Sequence, residues 1–333
     1  MKAGSLSRPP VPGAFLGRSP AVGRVLMQLE SAAPSQAGII ICGERGSGRQ
    51  TLARAIHDRS GRGRVFVSID CRQIGSPNLE HELFGRSGAA PAAGNGSAPE
   101  AIVRGSRLHD ARDSTLFLRY PGEIPSRVQA RLARVFRDGE AIDATTGDSI
   151  RLNIRPIVAI DPPFSRLAQE GHLRDDLYQR LSAIRIDLPA LRNRKEDIPA
   201  LAAHFLRESC RAAGLPMKRL TRQALQLLSA LPWRGNVREL QEFAYLVAGA
   251  APGPLIRLED ILGHINLDSG PIAVGRRRTL QDARAQFERE YITAILDQHR
   301  GRIAEAARAL GIQRTNLYRK MRSLGVNRRT QDS

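Results

Sequence analysis

Lysine is scarce: only four of the 51 basic residues are Lys. The basic character is therefore one of guanidinium groups, which stay charged at physiological pH and fork toward carboxylate and phosphate oxygens. A chain-wide preference for Arg also explains any single Arg standing where Lys is usual. Cysteine is scarce too. Cys42, Cys71 and Cys210 are odd in number, far apart and in no metal-ligand spacing, which excludes a disulfide framework or thiolate metal site and leaves reduced, packed thiols. No apolar stretch is long enough to span a membrane, and the N-terminus, MKAGSLSRPPVPGAF, lacks the apolar centre of a signal peptide. A cytoplasmic protein without membrane contact is expected.

What remains is a soluble composition. The 333 residues are 41% hydrophobic and 25% charged, enough for a real core and more than one domain. The net charge of +18 and pI of about 11.1 imply a polyanionic partner. The excess is densest at the end, where residues 271–333 hold 14 basic and 6 acidic side chains, a net +8. The 270 residues before them carry +10.

The stretch AGIIIC leads as a strand into GERGSGRQT, which has the spacing of a phosphate-binding loop with Gly43, Gly46 and Gly48. Arg49 stands where that motif uses Lys, and Gln50 where many such loops place a metal-facing hydroxyl. TLARAIHDRS follows as a helix and VFVSID as a strand; TLFL, the helix SRVQARLARVFRDGE and IRPIVAI come later, the last weakened as a strand by Pro156. Alternating strands and helices predict a parallel sheet with both faces covered. From Arg194 the pattern turns helical and predicts a small all-α lid. NLDSGPIAVGRRRT reads as a linker, and three helices fit residues 279–325.

RIAEAARALGIQRTNLYRKMRSLG splits at Gly311 into two helical patterns. Ile303, Ala307 and Leu310 form one apolar face, and Leu317, Met321 and Leu324 the other. Two short helices around a Gly-containing turn predict a helix-turn-helix whose second helix enters the DNA major groove. Arg314, Thr315, Tyr318, Arg319 and Arg322 then lie on or beside its outward face, with Asn316 and Lys320 at the edges. Arg pairs with guanine and Asn with adenine, while Lys suits phosphates. The plain alternative is a solvated basic helix in an ordinary hairpin.

Taken together, GRSPAVGRV, GERGSGRQTLARAIH, ELFG, GEIPSRVQARLARVFRDGE, LRDDLYQRL, LRNRKEDI, WRGNVREL and AARALGIQRTNLYRKM resemble the bacterial enhancer-binding proteins, AAA+ activators of sigma-54 RNA polymerase. The likeness runs from about Phe15 to Val326. It implies an α/β AAA+ P-loop domain with a parallel sheet, an all-α lid and a C-terminal Fis-type helix-turn-helix, in a short member without a sensor domain. The expected divisions are a tail over 1–14, the α/β subdomain over 15–190, the lid over 191–265, a linker over 266–278, the DNA-binding domain over 279–326 and a tail over 327–333.

The departures from the family carry as much information as the matches. Active members close the Walker B strand with Asp-Glu; here Arg119, Tyr120 and Pro121 stand there, and Glu123 matches a Glu outside that pair. One such carboxylate holds magnesium and the other positions the attacking water. Exchanging a carboxylate for a guanidinium near a divalent ion costs up to about 16 kcal/mol at an effective dielectric of 20, before the Arg swings away. The sensor I Thr-Asn aligns with Ile160 and Asp161. The Gly-Ala-Phe-Thr-Gly-Ala loop that contacts sigma-54 is replaced by Gly88, Ala89, Ala90, Pro91, Ala92, Ala93.

The resemblance implies intersubunit roles for Arg174 and Arg180 and a sensor II role for Arg238; interface or lid salt bridges are the structural alternative. Trp233, Cys71 and His57 match family positions as packing residues. The expectation is a sequence-specific DNA-binding regulator with a degenerate, non-hydrolysing AAA+ module. It would bind ATP, ADP or another nucleotide through Gly43, Gly46, Gly48, Arg49, Gln50, Arg119 and Arg238, with no metal. Alternatively, the pocket is empty and its arginines pair with Glu44, Asp161 or Glu123. DNA contacts fall to Arg314, Thr315, Asn316, Arg319 and Lys320. Expected partners are double-stranded DNA and further copies of the chain, as a dimer through the C-terminal domain or a higher ring. Two rival readings stay open: a working sigma-54 activator, and an inactive subunit in a ring with an active relative.

Overall fold

The computed structural model describes residues 15–62, 65–74, 76–86, 99–162, 173–264, 292, 296, 302–309 and 313–324, with backbone only at 76, 77, 309 and 322–324. Residues 88–93, the linker over 266–278, the turn at Gly311 and the Arg322 and Leu324 side chains lie outside the described set.

Helix α1 (Pro20–Ala32) opens the fold, its N-terminus capped by the Ser19 hydroxyl, which accepts from the Val22 amide, with Pro20 in the first turn. Five parallel strands follow in the order β2 (Phe66–Asp70), β4 (Thr115–Arg119), β7 (Arg155–Ile160), β1 (Ile39–Cys42), β8 (Ile184–Asp187). Strands β1 and β7 are buried on both faces, which is why they read as unbroken apolar runs. The parallel sheet and helical lid anticipated from the sequence are both present.

Pro156 did not weaken its strand: β7 is central, paired to β4 and β1. The reason is register. Arg155 donates to Ser114 on the β4 side, and β1 begins only opposite Ile157, so no neighbouring strand residue needs a Pro156 N–H. Arg155 itself is fully buried, donating to the carbonyls of Ala32, Ala33 and Ala37 at the end of α1. Desolvation there lowers its pKa to about 10.

One face of the sheet is covered by α1 and α2 (Arg49–Arg59), which bury Val25, Leu29, Leu52 and Ile56 against Ile39, Ile41, Phe117 and Ile157. The other is covered by α3 (Ser76–Phe84), the short α4 (Arg107–Asp110), α5 (Ser126–Asp138) and α6 (Asp175–Leu181), around Leu79, Leu83, Leu132 and Leu177. A side sheet of β3 (Ala101–Ile102), β5 (Glu140–Asp143) and β6 (Ser149–Arg151) flanks α5.

The lid holds α7 (Ile198–Ala212), α8 (Arg222–Ala230), α9 (Asn236–Ala250) and α10 (Leu258–Leu262), with a two-stranded ribbon, β9 (Arg219–Leu220) and β10 (Leu255–Ile256). Helices α8 and α9 are separated at Leu231–Gly235, where Trp233 takes φ 42° and donates from Nε1 to the Leu228 carbonyl. The C-terminal unit contains α11 (Ile303–Ala309) and α12 (Arg314–Leu324). Its core is Ile292, Leu296, Ile303, Ala306, Ala307, Leu317 and Met321.

Candidate functional site

The Gly-rich loop leaves β1 at Gly43 and turns through Gly46 (φ 76°) and Gly48 (φ 106°) into α2. Both angles are left-handed, which explains the glycines. A Cβ at Gly46 would also overlap the Gly235 carbonyl oxygen, because the lid rests on the loop.

That docking uses polar groups. Arg192 grips Glu44 with both terminal nitrogens, at 2.7 and 2.5 Å, and this hydrogen bonding is the main reason the Glu44 carboxyl sits below its ordinary pKa. Asn236, fully buried, donates to Glu44 and to the Arg45 carbonyl and accepts from the Leu191 amide. The buried Arg194 donates to the Ser47 carbonyl at 2.7 Å, and desolvation lowers its pKa. The backbone N–H of Arg238 donates to the Gly46 carbonyl. The Arg238 guanidinium instead turns outward to Glu242 at 2.9 Å.

Arg49 is buried at the start of α2, with Nη1 2.7 Å from Asp161 Oδ1. The two atoms attract by charge, but neither completes a hydrogen bond of good geometry. Arg119 ends β4 and meets Asp70, its register partner on β2, at 3.2 Å. The guanidinium expected to supply cation to the loop is thus held by a carboxylate of its own sheet. Glu123 takes Arg72.

Tyr120 follows in the left-handed region (φ 58°), a conformation costing a non-glycine residue about 1–3 kcal/mol. Three guanidinium groups surround its ring, Arg72 at 4.1 Å, Arg45 at 5.5 Å and Arg49 at 5.8 Å, and Arg45 also donates to its hydroxyl. At about 0.5–1 kcal/mol each, such contacts offset the backbone cost.

Besides Arg49 Nη1 and Asp161 Oδ1, three buried polar atoms have no hydrogen-bond partner: Ser47 Oγ, Arg119 Nε and Arg194 Nε. Against loop and lid lies a cavity of about 70 Å³, with Phe15, Leu16 and Phe205 among its apolar walls and Thr51, His204 and Gln241 among its polar ones. Gln50 is half-buried in the first turn of α2.

Arg174 and Arg180 lie at a different edge. Arg174 pairs with Asp176, and Arg180 donates to the Phe136 carbonyl. Arg180 lines an open groove of about 310 Å³ with Arg134 and Arg137. His57 bonds Thr115 through Nδ1 inside the core and packs on Phe66, and the three cysteines are buried and free.

On α12, Leu317 and Met321 face the small core, while Arg314, Thr315, Tyr318 and Arg319 are exposed and Asn316 and Lys320 half-exposed. Arg319 donates to Asn316 at 2.7 Å, and Arg314 lies over the Tyr318 ring at 5.8 Å. This leaves a row of donors outward with the apolar residues inward.

Sequence reasoning missed Asp70, Arg192, Arg194 and Asn236. Asp70 ends a strand that only the assembled sheet sets beside the strand ending in Arg119.

The fold and these elements define an AAA+ module with a helical lid and a helix-turn-helix domain. Comparison with known families agrees over nearly the whole chain. Residues 15–187 match the sigma-54 interaction domain, 192–270 the AAA+ ATPase lid domain, and 283–324 the Fis family of bacterial regulatory proteins. The DNA-binding transcriptional regulator NtrC of Salmonella typhimurium is 32% identical, over 94% of this chain and 70% of its own. The transcriptional regulatory protein ZraR of Escherichia coli is 34% identical, over 92% and 68%. Crystal structures of NtrX from Brucella abortus superpose with TM-scores of 0.62 with ATP and 0.63 with ADP, at 29% and 28% identity, covering 95% of this chain and 70% of theirs. RuvB from Thermotoga maritima shares the fold at TM-score 0.51 and 15% identity. The chain belongs to the family of sigma-54-dependent bacterial enhancer-binding proteins, and is a DNA-binding transcription regulator of the AAA+ class.

Proposed function

We propose that this regulator binds DNA through Arg314, Thr315, Asn316, Arg319 and Lys320, and that its AAA+ module holds a nucleotide without hydrolysing it and without remodelling sigma-54 polymerase. The observation that carries this is the end of β4. Where magnesium and attacking water need carboxylates, a guanidinium and a phenol stand, and Arg119 is closed onto Asp70. The nearby acids, Glu44, Asp70, Glu123 and Asp161, each face an arginine. The donor set therefore does not fit magnesium.

Phosphate fits better. The amides of a Gly-rich loop bind phosphate whatever the side chains. Ser47 Oγ, Arg119 Nε and Arg194 Nε supply polar atoms still lacking partners, and the cavity against the lid offers apolar walls for a base. The NtrX structures with ATP and ADP support such binding in a relative. Arg49 would exchange Asp161 for a phosphate oxygen, keeping a charged partner throughout.

Calorimetric titration with ATP and ADP, with and without EDTA, tests this directly. Binding that survives EDTA, with no phosphate release, is expected. Strictly magnesium-dependent binding, or steady turnover, would overturn it.

The exposed Arg174, and Arg180 beside an open groove, favour a second role as a subunit lending arginines to an active relative in a mixed ring. A rise in the relative's ATPase rate on mixing, lost with Arg180→Ala, is its signature.

A further inference from the structure

The ribbon of the lid has one buried face and one exposed face. Arg219 pairs in register with Leu255, and Leu220 with Ile256. Leu220 and Ile256 pack into the lid core, so strand alternation puts Arg219, Leu255 and, one step on, Arg257 on the outside. Arg222 opens α8 beside them, exposed. Lys218, half-exposed, donates to the Ala251 carbonyl, a neutral group that leaves its charge uncancelled. None of these four cations forms an ion pair among the described residues, whereas Arg192, Arg211 and Arg238 of the same lid do. The acids nearest in sequence are Glu259, which is exposed, and Asp260, which accepts from the Arg257 backbone N–H as a helix cap.

We propose that this face is a second DNA contact, holding the phosphate backbone of duplex that flanks the segment gripped by the C-terminal domain. Guanidinium groups without carboxylate partners are suited to phosphate oxygens, and no base edge need be reached. Tethering makes weak contacts count. The linker read over 266–278 is 13 residues long and reaches about 45 Å when fully extended. That compares with about 34–36 Å per turn of duplex. Once the C-terminal domain is bound, the ribbon meets neighbouring phosphates at an effective concentration in the millimolar range.

The test uses the full chain and two duplexes of mixed sequence, one of about 60 base pairs and one of about 15, which accommodates the helix-turn-helix alone. The variant Arg219→Ala/Arg222→Ala/Arg257→Ala is compared with Arg24→Ala/Arg151→Ala/Arg207→Ala, a control of equal charge change at exposed cations elsewhere. On the long duplex the ribbon variant should lose about tenfold or more in affinity, and the slope of log K against log salt should flatten by about 2–3. The control should hold wild-type values, and on the short duplex all three proteins should bind alike. Equal losses in both variants, or the same ribbon-variant loss on the short duplex, would overturn the proposal. Capture of an acidic protein by this face with no change in the long-duplex salt slope would do the same. Single substitutions, each expected to remove about one unit of slope, keep the test decisive if the triple variant melts early.

Discussion

Replacing Arg119 by Asp and Tyr120 by Glu in one protein returns carboxylates to the end of β4, and the geometry sets the outcome. In the wild type, Arg119 Nη2 lies 3.2 Å from Asp70 Oδ2. At an effective dielectric of about 20, unit charges at that distance attract by about 5 kcal/mol. Arg119 is about a third exposed, so screening and side-chain entropy leave about 1–2 kcal/mol as the net contribution. The double variant removes this attraction and sets a like charge against Asp70, which is largely buried. In EDTA the unfolding free energy should fall by roughly 2–4 kcal/mol, or about 5–15 °C in Tm for a domain of this size. Magnesium should then restore much of the loss, because the clustered carboxylates gain a cation they can share. Thermal melts with and without magnesium read this directly, and nucleotide binding should become metal-dependent in the variant alone. A variant that melts like wild type in EDTA and ignores magnesium would refute the view that the Arg119–Asp70 pair closes this site.

On the DNA side, Arg314→Ala should cost about 1–3 kcal/mol at one base position, and Lys320→Ala should weaken all sequences alike while flattening the salt slope by about one unit; anisotropy titrations against randomised sites separate the two. Sigma-54 polymerase mixed with this protein and ATP should form no open complex, because Ala90 and Pro91 stand where the contact loop carries Phe and Thr; permanganate footprinting of a sigma-54 promoter would expose the opposite result. The native protein should resist thiol reagents at pH 8. Burial raises Cys42 to about 11 and Cys71 to about 12, so the reactive thiolate is minor well above that pH, and labelling should appear only as urea unfolds the chain.

The architecture was largely legible because its signals are local: the Gly-rich turn after an apolar strand, the periodicity of SRVQARLARVFRD, and the paired helices around Gly311. Strand β8 escaped notice because IRID alternates over only four residues, and the side sheet because strands of two to four residues carry little periodicity. Arg49 and Arg119 were readable as cations at the site, but their partners were less so. Asp161 was foreseeable from its place at the end of β7. Asp70 depended on β2 pairing with β4 in a register that brings residues 70 and 119 side by side, and only the assembled sheet supplies that. Arg194 and Asn236 act across 147 and 192 positions of sequence, where no local pattern reaches.

One buried carboxylate lends the module a mechanical property. Asp197 sits in the turn just before α7 and accepts hydrogen bonds from the Arg18 amide, the Ser19 amide and the Ser19 hydroxyl, at 2.5, 2.8 and 2.7 Å. Ser19 is also the cap of α1, so one side chain fastens the first helix of the α/β subdomain to the first helix of the lid. Three short bonds converging on one carboxylate between two helix starts behave as a pinned joint, so that displacing Arg18 or Ser19 loads the start of α7. Load on residues 15–18 therefore enters the lid at Asp197, three residues after Arg194, which holds the Ser47 carbonyl of the Gly-rich loop.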